Sequence, residues 1–394
     1  MLSSQQNILK NKNIYLIFSV TLFAVMGVAS ITPAFPSIIK CFSLSGKEVT
    51  LLITVFTLPG MFLAPFTGIL ADKYGRKTIL IPSLLLFGLA GVACSFQDDF
   101  QGLLLFRFFQ GLGATSLGSI NITLIGDLYS GNQRTQAMGY NSSVLSIGIA
   151  VYPVVGGALA TINWQYIFYL PALALPLVFI ILFALDNPAV NNKVPIKEYL
   201  EKLWKTIYRK DVWGLFFINI LTFIVLYGAY LSFFPIMMER RFSANPFTIG
   251  IVMSSMSLIT AVTSSQLGRI RKKVAAKSLL YFCAVFYAAS LFLLAFAYIW
   301  LVLIISVMFF GLVHGLLIPN IQTMLVGLAP TSERAAFMSL NSTVLRAGQT
   351  IGPVLIGFFY FDQELQYVFI AGAVVALSMI FFVRFMVKTE NDTK

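Results

Sequence analysis

The chain has 394 residues, of which 58% are hydrophobic and only 11% charged, and it carries 37 phenylalanines. Soluble domains are about 45–50% apolar and about 25% charged, so a water-soluble fold is excluded. Twelve membrane spans of about 20 residues would take roughly 240 residues, leaving loops and tails but no room for a separate soluble domain. The net charge of +12 does not point to nucleic acid. Proteins that bind nucleic acid gather Lys and Arg on one accessible face; here these residues sit between apolar runs, where they set orientation. Cys41, Cys94 and Cys283 are widely spaced with no CxxC pair, so neither a disulfide framework nor a metal site is indicated.

The first apolar run covers 14–39. It exceeds the core of a signal peptide, about 7–15 residues, and ends in no small-residue cleavage site, so an uncleaved span is expected. Further runs follow at 49–70, 78–96, 101–127, 136–161 and 164–185, and a second set at 212–237, 246–267, 278–297, 299–325, 335–360 and 366–387. The expected fold is an all-α membrane protein of 12 transmembrane helices, six in a half at 14–185 and six in a half at 212–387. Residues 1–13 and 388–394 are tails, and 186–211 link the halves. If the N-terminus is cytoplasmic, the inner segments hold 21 Lys and Arg. The outer ones hold four, namely Lys40, Lys47, Arg240 and Arg241, while Arg107 and Arg346 lie within spans. That bias places both termini in the cytoplasm. Within the linker, Ile196, Tyr199, Leu200, Leu203, Trp204, Ile207 and Tyr208 recur at helical spacing opposite a charged face. This reads as an amphipathic helix in the inner membrane surface; a helix packed under the bundle is the alternative.

The two halves repeat at an offset of 200. Arg134 to Gly157 and Arg334 to Gly357 share ten of 24 positions without a gap, and Phe109, Gly111, Leu112 and Gly68 recur as Phe309, Gly311, Leu312 and Gly268. Two homologous six-span halves are a transporter architecture, with a binding site near the midplane and alternating access by rocking of the halves.

Gly68-Ile-Leu-Ala-Asp72-Lys-Tyr-Gly75-Arg76-Lys77 follows the second span. Gly68 is expected where helices approach closely, and Asp72 is expected to pair with Arg76 or face a helix N-terminus. On physics alone the stretch could equally be a basic topogenic loop. It resembles, however, the loop signature GxxxDxxGRK of the major facilitator superfamily. Gly27, Pro33 and Pro36 resemble the first-span GxxxxxPxxP of its twelve-span drug:proton antiporters, and Arg107-Phe-Phe-Gln110-Gly111 resembles their fourth-span RxxQG. Gly139, Gly148, Pro153 and Gly156 resemble their fifth-span GxxxxxxxxGxxxGPxxG, with Tyr152 replacing the glycine before Pro153. The resemblance covers essentially the whole chain. It implies the superfamily fold, function as a monomer without a cofactor, a role for Arg107 in proton coupling, and a latch of Asp72, Arg76 and Asp127 that holds the inside closed. Lys272 and Gly327 stand opposite Asp72 and Asp127, so one latch is expected, in the first half. The fifth-span motif implies export and sealing against leak; a bend at Pro153 and close packing at the glycines are its structural reading.

Ionisable groups inside a bilayer are costly and usually functional. All fifteen acids fall at span ends, in loops, in the linker or in the tail, and none at a span centre. A purely cationic substrate is therefore disfavoured. The buried polar set is Arg107 with Gln110 and Arg346 with Gln349, each pair on one helix face, and His314. Arginine stays charged and can organise a site or hold an anion, but it does not readily carry protons. Arg346 replaces Ser146 of the first half, so the repeat does not demand it, and it is a candidate substrate contact. His314 is the only histidine, a candidate proton carrier or a hydrogen-bonded packer. Asn121, Asn219, Tyr227, Tyr230, Asn320 and Asn341 are candidate cavity-lining residues. One histidine, no HExxH and no paired midspan aspartates leave no visible machinery for a membrane enzyme, and no GxxxxGK[ST] suggests ATP use. The expected function is proton-coupled export of lipophilic drug-like compounds across a prokaryotic-type plasma membrane, with a small molecule, protons and lipids as partners. Transport of one metabolite, such as an organic anion or a sugar, is the alternative.

Overall fold

The structure, a computed structural model, describes residues 8–186, 209–328, 334–361 and 364–387. The amphipathic linker helix and the tail from 388 lie outside the described residues, as does the Asp72 side chain. Among the described residues the regular structure is helical, with no strand.

Twelve long helices follow the apolar runs. In the first half these are α1 (Lys12–Phe42), α2 (Leu51–Tyr74), α3 (Arg76–Cys94), α4 (Phe100–Leu128), α5 (Gly131–Ile162) and α6 (Trp164–Ala184). In the second they are α7 (Lys210–Phe242), α8 (Pro246–Arg271), α9 (Ala276–Ala295), α10 (Trp300–Leu328), α11 (Arg334–Gly357) and α12 (Leu365–Phe385). Eleven of the described helices are long and apolar enough to cross a membrane. The exception is α11, a 24-residue helix that carries Asn341, Arg346 and Gln349. Two spans are irregular: α1 has a 3-10 turn at Thr32–Ala34, where Pro33 removes a backbone donor, and α7 has a π-helical segment at Val225–Leu231. Phe179, Phe183, Leu301 and Phe381 are exposed on the outside of the bundle, as a lipid-facing surface requires.

The repeat is visible in backbone detail. Ser43 and Ser243 end α1 and α7 in the left-handed region, at φ 52° and 49°. Two residues on, Ser45 and Asn245 cap the helices that follow, accepting from the Glu48 and Thr248 amides at 3.2 and 2.8 Å. Gly111 lets α4 lie against the Phe56 carbonyl of α2, and Gly311 lets α10 lie against the Met256 carbonyl of α8. Such small residues allow backbones to approach where lipid offers no hydrophobic drive. Within each half the packing pairs match: α1 on α5 and α7 on α11, α2 on α4 and α8 on α10, α3 on α6 and α9 on α12.

The halves meet along two seams, α5 on α8 and α11 on α2. Polar contacts between described residues of opposite halves include Arg346 Nη2 to Thr115 O at 3.3 Å, Thr350 Oγ1 to Thr57 Oγ1 at 3.0 Å, Thr32 Oγ1 to Met253 Sδ at 3.9 Å and Lys40 to Glu239 at 2.6 Å. These run from midspan to the end away from the termini. At the terminus-bearing end, a Cβ on Gly68, Gly139, Gly268 or Gly327 would meet nothing within 4 Å. The close approach expected at Gly68 is therefore absent, because the molecule is open at that end.

Candidate functional site

Arg107 lies on α4 and is 1% exposed. Its guanidinium donates from Nη1 to Gln110 Oε1 at 2.7 Å, from Nη2 to Gly27 O at 2.9 Å, and from Nε and Nη2 to Leu52 O at 3.3 and 3.2 Å. It also lies 4.3 Å from the Phe56 ring centroid. The first-span and fourth-span motifs thus meet: Gly27 offers Arg107 its carbonyl, and the Phe56 ring occupies the space a Cβ on Gly27 would need. Gln110 is fully buried as the partner of Arg107 and does not line an open space.

Arg346 is placed differently. It projects from α11 across the seam toward α2 and α4, with Nη1 in the space left by the missing side chain of Gly60. Phe56 and Gly60 stand one turn apart on α2, so one helix face seats both arginines. Tyr227, in the π segment of α7, lies close enough to Arg346 to act on it electrostatically. Gln349 follows on α11 and is half-buried.

Other candidates are drawn into helix joints. The Asn121 amide donates to Ile17 O at 2.8 Å and to Thr21 Oγ1, and Thr21 in turn donates to Asn141 Oδ1 at 2.5 Å, pinning α4, α1 and α5 together. Asn219 donates to Asn341 at 2.7 Å and joins α7 to α11. Asn141 and Asn341 occupy the same position of the repeat, a signal that marked both as joints. Asn320 donates to Ala276 O at 3.1 Å, and Tyr230 is stacked between Phe234 and Phe310. His314 Nδ1 lies 3.1 Å from Tyr287 Oη, joining α10 to α9, and its ring stacks on those of Tyr287 and Phe310.

At the terminus-bearing end, Arg76 Nε donates to Asp127 Oδ2 at 2.9 Å, with Arg76 buried and Asp127 partly exposed. Lys77 caps the last carbonyls of α6, Leu182 at 2.5 Å and Leu185 at 3.2 Å. Asn13 and then Lys12 hold the Asp186 carboxyl below its usual range, through a 2.8 Å hydrogen bond and an ion pair. Gly75 joins α2 to α3 at φ 98°, ψ 145°, a region open essentially to glycine. Gly75→Ala is expected to lower stability by about 1–3 kcal/mol, read as a lower thermal midpoint of the detergent-solubilised protein.

The fifth-span motif lies along a seam between halves. The Pro153 carbonyl abuts Gly250 of α8, Gly156 abuts the Ser30 carbonyl of α1, and Gly157 abuts the Pro246 carbonyl. Gly148 packs on Val25 and Leu22, whereas Gly139 faces open space. Tyr152, in place of a glycine, is half-buried beside Gly148.

Known proteins share this fold. The Major Facilitator Superfamily profile matches residues 17–244 and 216–394. The chain is 25% identical over 384 residues to multidrug resistance protein 2 of Bacillus subtilis, covering 95% of this chain and 96% of that protein. It is 26% identical over 363 residues to the quinolone resistance protein NorA of Staphylococcus aureus, covering 90% and 92%. The crystal structure of a bacterial homolog to the human lysosomal transporter Spinster, inward-facing and occupied, superposes with a TM-score of 0.83 at 16% identity, covering 97% of each chain. With the profile matching both halves, this chain belongs to the major facilitator superfamily and is a multi-pass membrane transporter.

Proposed function

We propose that the protein exports lipophilic, drug-like compounds in exchange for protons across a prokaryotic plasma membrane, with both termini in the cytoplasm. The observation that carries alternating access is the one-sided joining of the halves, bonded from midspan to the far end and open around Gly68, Gly139, Gly268 and Gly327. Given the bias of 21 Lys and Arg on the terminal side, this conformation faces the cytoplasm. Drug export is supported by the two relatives, whose names denote resistance to drugs, and by the fifth-span motif along the α5–α8 seam. One chain holds both halves, so a monomer suffices.

In this reading Asp72, Arg76 and Asp127 form the inner latch. Asp127→Asn, which neutralises the acceptor of the 2.9 Å ion pair, is expected to cut transport severely while leaving membrane insertion normal. Transport at wild-type rates would remove the latch assignment. Arg107 organises the first half, and His314, the sole histidine of the sequence, hydrogen-bonded to Tyr287 at midspan, is the proton carrier in this reading. His314→Gln is expected to lose substrate-driven proton movement while still equilibrating substrate downhill.

The test uses everted vesicles with an imposed acid interior and a pH-reporting dye. Adding lipophilic compounds is expected to release protons from vesicles holding the protein and not from empty ones. Absence of any proton response, together with carriage of a single organic anion or sugar, would establish the metabolite transporter instead. The half-buried Arg346, with no acid at a span centre, is what favours that second reading.

A further inference from the structure

The two membrane arginines differ in how far their donors are used. Arg107 is satisfied from three directions by Gln110, Gly27 and Leu52 and is capped by Phe56. Arg346 makes one hydrogen bond, to Thr115 O at 3.3 Å, out of the five N–H groups a guanidinium offers. Its remaining donors are uncommitted, and they are not sealed in: no Arg346 atom is among the buried groups without a partner. The Tyr227 hydroxyl, near Arg346, and the amide of Gln349, three residues further along α11, make no hydrogen bond among the described residues and are half-buried. Arg346, Tyr227 and Gln349 are thus each part-exposed at midspan with donors that no described residue uses.

Charge balance at this point is one-sided. Among the described residues every carboxylate lies at a helix end or in a connection, and none pairs with Arg346. A cation within a span normally finds a counter-charge, because an unpaired charge in a low-dielectric interior is costly. The setting also has shape. Gly60 vacates the space that Nη1 occupies, and the π segment sets Tyr227, with Phe223 6.0 Å away ring to ring, against the same region. Such π-bulges recur at functional sites.

We propose that Arg346, with Tyr227 and Gln349, forms a subsite for the anionic group of the substrate, a carboxylate or similar monoanion on an apolar body. This rests on the export reading and narrows its substrate class. The guanidinium fork accepts the two oxygens of a carboxylate side by side, Tyr227 and Gln349 add donors, and the apolar remainder lies against Phe223 and the surrounding helices. Because Arg346 also reaches Thr115 across the seam, an anion that draws the guanidinium away loosens a bond between the halves. Substrate binding and opening of the far end then share one side chain.

The test is equilibrium binding to the full chain in lipid nanodiscs, using 4-(1-pyrenyl)butyrate, its primary amide and the matching primary amine. Wild type is expected to bind the acid about ten- to hundredfold more tightly than the amide, the range of a charge-assisted hydrogen-bonded pair, and the amine most weakly. Arg346→Gln is expected to erase the advantage of acid over amide. Arg346→Lys, which keeps the charge but loses the fork, is expected to retain a reduced advantage. Gly60→Ala, which displaces the guanidinium without removing it, is expected to lower the advantage as well. Wild type that binds the acid no better than the amide, binding of neither included, overturns the subsite, as does an advantage that survives Arg346→Gln. A missing proton response in vesicles with the acid preference intact would count against the export reading and leave the subsite standing.

Discussion

Arg107→Ala is expected to reduce transport to background and to destabilise the first half by about 2–5 kcal/mol, the cost of emptying a large buried site. The guanidinium bridges three elements at once: Gly27 O on α1, Leu52 O on α2 and Gln110 on its own helix. Its removal leaves a hollow under Phe56 and breaks the polar ties of this side chain to α1 and α2. Arg107→Lys is not expected to rescue, because one ammonium cannot serve acceptors spread around a planar fork. A proton-flux assay and a thermal midpoint, taken on the same preparation, check both parts. Flux near wild type in Arg107→Ala would mean that the charge is dispensable.

The second large effect is expected at the α5–α8 seam. A side chain on Gly157 would collide with the Pro246 carbonyl, and one on Gly250 with the Pro153 carbonyl. These are backbone atoms in opposite halves, and they cannot swing aside as a side chain can. Gly157→Leu therefore penalises the state in which the far end is closed and spares the state in which it is open. Overpacking of about 1–3 kcal/mol on one of two states shifts their ratio by about 5- to 150-fold. Transport should fall accordingly, with the variant held open at the far end and newly reactive there to thiol reagents through a cysteine at Pro246.

The number and order of the helices were legible because each span is a continuous apolar run and Lys and Arg mark the breaks. The repeat carried further than the motif it sits in: the shared positions at 43 and 243, 111 and 311, and 141 and 341 have the same structural jobs in both halves. Pairing of Arg107 with Gln110 followed from their spacing. What could not be read was the direction in which polar residues face. When all sides of a helix are apolar, no hydrophobic stripe marks the inside, so Asn121 and Asn341 looked like cavity residues although they are joints. The partners of Arg346 were invisible for another reason, since a backbone carbonyl at Thr115 and an absent side chain at Gly60 leave no mark in sequence pattern. Gly68 was expected at a close helix approach, and in this structure a Cβ there meets nothing within 4 Å.

Spin-label distances across both ends of the molecule test alternating access most directly. With Cys41, the exposed cysteine, changed to Ser, one label pair at exposed positions 132 and 273 spans the terminus-bearing end, and another at 98 and 298 spans the far end. On acidification and on adding a lipophilic substrate, the distances are expected to change in opposite senses, one lengthening as the other shortens. Distances that stay fixed at both ends, or that lengthen together, would contradict a transporter built on two rocking halves.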